Sequence, residues 1–231
     1  MPLFLSPRDT TSQEKMDKAD CSQSKLRNTY RQFKTINALL SQWKKIYRMH
    51  IRPSLQEGRS YQLLDIGFGG GDIPIKIAQW ANRDGKDLAV TAIDTDRRAV
   101  DFAKQLEAPE EVTFRHCSSS DLIAEEQQYN FVISNHLLHH LSKEELALTL
   151  SEAQSLSTQT VIFNDIRRSS IGYLLFSLLT RPVFRKSFIT EDGLTSIQRS
   201  YTAPELRQAV PDGWQVQKLF PFRLLLTYHH G

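Results

Sequence analysis

Cysteine is scarce in this chain. Cys21 and Cys117 are the only two among 231 residues, far apart and in no CxxC or zinc-type spacing. Neither a disulfide scaffold nor a structural zinc site is expected, and a reducing cytoplasm is the default compartment. Cys117 reads as a small core residue. Long hydrophobic runs are missing too: the greasiest stretch, IGYLLFSLLT at 171–180, is about half the length of a bilayer-spanning helix. The first residues, MPLFLSPRDTTSQEKMDKADCSQS, lack the basic-then-apolar order of a signal peptide, so 1–23 reads as a polar tail. No internal repeat or low-complexity block appears. Acids are absent between Lys25 and Arg52, a stretch that carries eight basic residues in a chain of net charge only +3. Such a segment suits an anionic partner, substrate or surface, or else is a solvated helix face.

With 40% hydrophobic and 24% charged residues, the chain fits one globular domain with a small accessory region. Leu26, Tyr30, Phe33, Ile36, Leu40, Trp43 and Tyr47 recur at helical spacing, which predicts one or two amphipathic helices before Pro53. We take 24–58 as a helical lid and 59–231 as the main domain. From Gln62 onward strands and helices alternate: YQLLDI, LAVTAID, VTFRHC, YNFVISN and TVIFNDI read as strands, with helices between them. This is the pattern of a parallel sheet covered on both faces, an α/β doubly wound fold. WQVQKLF and FRLLLTYH, separated only by Pro221, must pair as a hairpin and place an antiparallel strand in the sheet. Residues 167–200 form a helical insertion before it.

Four of the ten glycines, Gly67, Gly69, Gly70 and Gly71, follow the first strand directly. In open parallel sheets that turn is where a ligand meets the backbone. The dinucleotide fingerprint GxGxxG fails here, because Asp72 stands at its last glycine. Asp72 is placed to cap the next helix, and a carboxylate at a helix start repels phosphate. Asp65, before the glycines, adds a second acid, so the turn suits a cationic ligand. The second strand ends in AIDTD. Asp94, or else Asp96, can accept hydrogen bonds from a ribose diol. A cationic nucleoside with no phosphate clamp is S-adenosylmethionine (SAM).

LLDIGFGGGD, TAIDTD and FVISNHLLHHL together resemble the motifs of class I SAM-dependent methyltransferases. The last is similar to the LHHL signature of quinone-biosynthesis-type enzymes. The resemblance covers about residues 60–230. It implies a Rossmann-like seven-stranded sheet of order 3-2-1-4-5-7-6 with strand 7 reversed. It also implies cofactor contacts at Asp65, Gly67, Gly69, Gly71, Asp94, Thr95 and Asn135. CSSSDL departs from the family's acid after strand three, so adenine contact falls to Ser118, Ser119 or Asp121, or the serines simply cap a helix.

If the stretch after strand four is helical, His136 shares a face with His139 and His140 while Leu138 and Leu141 pack inward. Asp165, at the tip of strand five, lies at the same sheet edge. Three roles stay open for His136, His139 and Asp165. They are structural, or they serve a general base acting on a phenol, or they belong to a metal site. The last is short of ligands without a further Asp or His, and no metal is expected. The acceptor pocket is assigned to the lid and the insertion, with Tyr30, Phe33, His140, Arg168 and Tyr173 as contacts. Apolar and basic side chains interleave there, which suits a small hydrophobic phenolic, quinone-like or acidic acceptor. NDIRRS and SFITEDGLTSIQRSYTAPEL also resemble methyltransferases associated with type III polyketide synthases. Two alternatives stand beside this reading: an RNA methyltransferase using the basic stretch, and a non-catalytic SAM-binding protein. Nucleic acid is disfavoured, because SNHLLHH is not the Asn-Pro-Pro-aromatic turn of amino-directed enzymes. Peripheral membrane contact is compatible with the basic segment, and the sequence is silent on oligomeric state.

Overall fold

Residues 7–230 are described by a computed structural model. The first elements are α1 (Gln23–Leu40), the single turn α2 (Trp43–Ile46) and a π turn over Tyr47–Ile51. Strand and helix then alternate through β1 (Ser60–Ile66), α3 (Asp72–Arg83), β2 (Asp87–Asp94), α4 (Arg97–Ala103), β3 (Val112–His116) and α5 (Ser119–Ala124). Next come β4 (Tyr129–Asn135), α6 (Lys143–Leu156) and β5 (Ser157–Ile166). The insertion supplies α7 (Ser170–Val183) and α8 (Ile189–Arg199), and α9 (Ala203–Ala209) leads into the hairpin β6 (Gln215–Leu219) and β7 (Arg223–His229).

The sheet order is β3-β2-β1-β4-β5-β7-β6. β1 to β5 run parallel, and β7 is antiparallel to both of its neighbours. The Rossmann-like methyltransferase topology expected from the sequence is the one observed. Central strands are covered on both faces, which explains their unbroken apolar runs. Successive side chains point to opposite faces, so Leu63 and Leu64, both fully buried, enter two different clusters. Leu63 packs with Ile77 and Trp43, and Leu64 with Leu146, Leu150 and Leu206. Each such side chain contributes about 1.5–3 kcal/mol on burial.

The basic stretch divides at Ser41–Gln42, where Gln42 takes a left-handed φ of 60°. Below the break, Trp43, Ile46, Tyr47 and Ile51 are buried under the sheet with α3, so 43–51 belongs to the core and not to a lid. Above the break, α1 lies over the glycine turn. It does so through Leu26 and Tyr30, which pack on Phe68, Val100 and Phe102.

The polar tail is likewise different from its expectation. Residues 1–6 lie outside the described residues, but 8–16 pack as a strap along α8, and Met16, Lys18 and Cys21 meet the Arg98 guanidinium of α4. The Arg8 guanidinium stacks 3.9 Å over the Tyr201 ring. The Asp192 carboxylate accepts the backbone N–H groups of Lys15 and Met16 at 2.8 and 2.9 Å. Glu14 is buried and accepts the Ser196 hydroxyl at 2.6 Å. Polar bonds hold this segment, and polar bonds leave no hydrophobic period in the sequence.

β1 pairs with β2 on one side and β4 on the other. The turns leaving β1 and β4 therefore flank a crevice at the point where strand order reverses, the ligand position of such sheets.

Candidate active site

The crevice opens into a cavity of about 500 Å³. One wall is the glycine turn. Gly67 N–H donates to the Ile93 carbonyl at 2.8 Å, and Gly69 N–H donates to the Asp94 carboxylate at 2.9 Å. A Cβ on Gly69 would meet nothing closer than the Phe33 ring at 3.9 Å, so a larger side chain there would occupy ligand volume. Gly70 is pressed under α1, where a Cβ would come within 3.0 Å of both the Phe33 ring and the Tyr30 carbonyl. Gly71, expected on the cofactor, does not line the cavity. It caps α3 at φ 72°, and a Cβ there would meet Leu106 at 3.0 Å and Phe114 at 3.2 Å. Nor does Asp72 cap α3. Its carboxylate accepts Asn37 Nδ2 at 3.0 and 3.2 Å, which ties α1 to the turn.

Three carboxylates converge here. Asp65 is 1% exposed and, among the described residues, its Oδ1 has no hydrogen-bond partner. Burial, with Asp72 and Asp94 close by, pushes its carboxyl well above the ordinary range. Burial also pushes Asp72 up to about 6 and raises Asp94. A cation relieves all three, whereas a phosphate would be repelled.

At the end of β2, the second Asp94 oxygen accepts Asp96 N–H at 2.8 Å, and both oxygens keep a lone pair for a ligand. Asp96 is committed elsewhere: it caps α4 and holds the Arg98 guanidinium at 2.7–3.0 Å. Thr95, Ser118 and Ser119 line the same end, as does Cys117, which reads as a core residue in the sequence. Asp121 does not line the cavity. It is exposed and closes a capping box with Ser118, so the helix-capping role is the one its carboxylate plays. An open glycine turn, an orphaned buried carboxylate oxygen and an acid at the β2 tip fit SAM.

The other end is built by the segment after β4. It is not an α-helix. His136 is left-handed at φ 63°, and Leu138–His140 is one 3-10 turn, so His136 does not share a face with the other two histidines. Its Nε2 accepts Arg223 Nη1 at 2.7 Å; burial and that guanidinium charge hold it neutral, well below its usual range. Its lone pair is therefore occupied. His139 is buried, with its N–H bonded to Asp165 at 2.9 Å and Nδ1 paired with the same carboxylate at 2.7 Å. Burial alone favours a neutral ring, but Asp165 and Glu14 outweigh it and raise His139 to about 9. Asp165 is held well below its usual range, because its bond to the His139 cation outweighs its own burial. It stands behind His139 and outside the cavity lining.

Asn135 lines the cavity and accepts Arg223 Nη2 at 3.1 Å, and Tyr30, Phe33 and His140 line it as expected contacts. Arg168 and Tyr173 do not. Arg168 turns to the Ser200 carbonyl at 2.8 Å and to Glu205, because a buried guanidinium needs its donors satisfied. On α7 the residues facing the cavity are Gly172 and Phe176. Two contributors were not foreseen. Arg223 is visible as the single charge opening an apolar strand. Glu14 carries no comparable signal within the tail.

Residues 63–159 match the family model described as a methyltransferase domain. A comparison with curated protein sequences finds no match. Among solved structures, the chain is similar to magnesium protoporphyrin IX methyltransferase from Synechocystis PCC 6803 with bound S-adenosylhomocysteine (SAH). Identity is 16%, with 82% of this chain and 81% of that chain covered and a TM-score of 0.54. The plantazolicin methyltransferase BpumL in complex with SAH gives 11% identity, 90% and 95% coverage and a TM-score of 0.60. Human N-acetylserotonin methyltransferase in complex with SAM gives 11% identity, 91% and 57% coverage and a TM-score of 0.64. Both the domain and the cofactor expected from the sequence agree with these matches.

Proposed function

We propose, from the premise that the chain carries a class I SAM-dependent methyltransferase domain, that it methylates a small hydrophobic acceptor bearing a phenolic or similarly acidic hydroxyl. The observation that carries this reading is the two-ended cavity. An acidic, glycine-walled end is continuous with an apolar chamber that finishes on imidazoles. Ile36, Leu40, Phe176, Ile189 and Phe222 furnish the apolar wall, and Arg167 adds a positive charge beside Phe222. Named substrates of two neighbours, magnesium protoporphyrin IX and N-acetylserotonin, are small molecules, which supports the same scale of acceptor.

Bound SAM supplies a methyl group on a cationic sulfur. Asp94 would take the ribose hydroxyls, Asp65 and Asp72 would face the positive charge, and Gly67 and Gly69 would leave room for the ligand against the backbone. Tyr30 and Phe33 on α1 exclude water and hold the acceptor against the donor, which is the larger part of what such a displacement requires. His139 is cationic at neutral pH between Asp165 and Glu14, so it steadies an acceptor oxyanion instead of acting as a free base. Asp165 positions it.

No helix among the described residues is long and apolar enough to cross a membrane. Ile171, Leu174, Leu178, Leu179 and Val183 nevertheless leave an apolar face of α7 exposed. That face supports peripheral contact with a lipid surface from which a hydrophobic acceptor is taken. The test is methyl transfer from labelled SAM to a panel of alkylated phenols, quinols, keto acids and transfer RNA. Labelled phenol or quinol is expected. Labelled RNA favours the basic-stretch reading, and no labelled product in the presence of SAM binding favours a non-catalytic protein.

A further inference from the structure

The imidazoles at the end of the cavity lacked a third ligand in the sequence, and the strap delivers one. Glu14 Oε1 lies 3.3 Å from His139 Nε2 and 3.6 Å from His140 Nε2, and all three atoms lie within 4.8 Å of one another. A tetrahedral zinc ion with bonds of 2.0–2.1 Å sets its ligand atoms about 3.3–3.4 Å apart. His139 Nε2 is buried and, among the described residues, has no hydrogen-bond partner, so once its proton is lost it aims a lone pair into this gap.

The surroundings are those of a built site. A ligating histidine ordinarily gives its other ring nitrogen to a carboxylate. Here His139 Nδ1 meets Asp165 at 2.7 Å, and His140 Nδ1 lies 3.4 Å from Asp17. Three carboxylates thus surround two imidazoles. The nearby guanidiniums do not cancel them directly: Arg8 and Arg199 donate to the backbone carbonyls of His139 and His140 and brace the turn. Glu14, Asp17, His139 and His140 all line the cavity, which leaves a fourth coordination position open to a ligand.

We propose that Glu14, His139 and His140 form a binding site for a divalent transition-metal cation, zinc by its two-imidazole, one-carboxylate donor set. Two histidines and a carboxylate with one open position is the composition of a reactive zinc site. A cation bound there would displace the proton on His139 Nε2, which faces Glu14 at 3.3 Å, to solvent. Placed in the open position, an acceptor hydroxyl would have its pKa lowered without any side-chain base. This last role rests on the methyl-transfer reading, whereas the binding site does not.

The test uses the full chain after chelation, titrated with Zn²⁺ by calorimetry and with Co²⁺ by visible absorption. One equivalent per chain is expected, with the intense visible bands of tetrahedral cobalt. His140→Ala and Glu14→Gln should each weaken binding by at least about tenfold, the low end of what loss of even an outer partner costs. His229→Ala, at the separate His50–His229 contact, should leave binding unchanged. Melting curves confirm that each variant is folded, and SAM affinity is measured on the metal-free chain. No stoichiometric uptake, or uptake that survives both ligand variants or disappears with His229→Ala, overturns the site. Unaltered methyl transfer by metal-free protein would remove the acceptor role and leave the methyltransferase reading intact.

Discussion

Replacing Asp94 by alanine probes the cofactor end most sharply, because the carboxylate has two separable jobs. Within the protein it accepts Gly69 N–H at 2.9 Å and Asp96 N–H at 2.8 Å, which fixes the glycine turn to the tip of β2. Toward SAM, its remaining lone pairs are proposed to accept from two ribose hydroxyls. Hydrogen bonds to a charged group are worth about 1.5–3 kcal/mol each. Loss of one raises the SAM dissociation constant about tenfold, and loss of about 3 kcal/mol in all raises it roughly 100-fold. Leaving two backbone donors short of a partner costs about 1–3 kcal/mol of stability as well, so binding is read below the melting transition. Asp94→Asn keeps one acceptor oxygen and should fall between wild type and alanine. Asp96→Ala removes the Arg98 pairing and the α4 cap without touching the ribose, so its dissociation constant should stay within about twofold of wild type. Calorimetric titration of wild type and the three variants with SAM, and again with SAH, gives these constants. A folded Asp94→Ala protein with unchanged affinity would refute the assignment, and a large loss in Asp96→Ala would transfer it.

The remaining expectations follow from other parts of the cavity. Asp72, pushed up to about 6, must ionise to face a cation. Its raised folded value disfavours its ionised form, a strain a cationic ligand relieves, so SAM affinity should rise from pH 5 through about 6 and level off by about pH 7.5. An affinity flat across that range would contradict it. Hydrogen exchange should slow on SAM addition in α1 and not in 43–51, since α1 lines the crevice and 43–51 is packed in the core; equal protection of both segments would sink the distinction. Glu14→Ala removes one of the two acceptors of the Ser196 hydroxyl and leaves His139 Nε2 without its facing carboxylate. A loss of about 1–3 kcal/mol is expected, seen as a lower melting temperature, and an unchanged melt would show that the strap is not anchored there. Leu178→Asp with Leu179→Asp should abolish sedimentation with phospholipid vesicles while leaving SAM binding alone; vesicle binding that persists would reject α7 as the contact.

The sheet was legible because both of its signals are local. Leu63, Leu64 and Phe131 sit in unbroken apolar runs, and the Pro221 connection is too short for anything but a hairpin. The meeting of Asp65, Gly69 and Asp94 at one crevice was legible for the same reason, since all three lie at strand tips whose position the topology dictates. What failed depended on the third dimension. NHLLHH has helical spacing, yet the left-handed His136 breaks it, and that conformation is stabilised by Arg223 from a strand 87 residues away. Trp43 and Tyr47 continue the apolar period of α1, but the turn at Gln42 sends them beneath the sheet. Glu14 could not be singled out among the acids of the tail, because burial beside His139 is a property of the folded neighbourhood and not of the segment.

The account stands most directly on where donor and acceptor lie together. A crystal structure of the chain with SAH and an alkylated phenol should show the ribose on Asp94. It should also show the sulfur beyond the glycine turn, and the phenolic oxygen at the end of the chamber formed by Glu14, His139 and His140. SAH bound away from Asp94, or a phenol whose oxygen points toward α7 and away from those three residues, would contradict it.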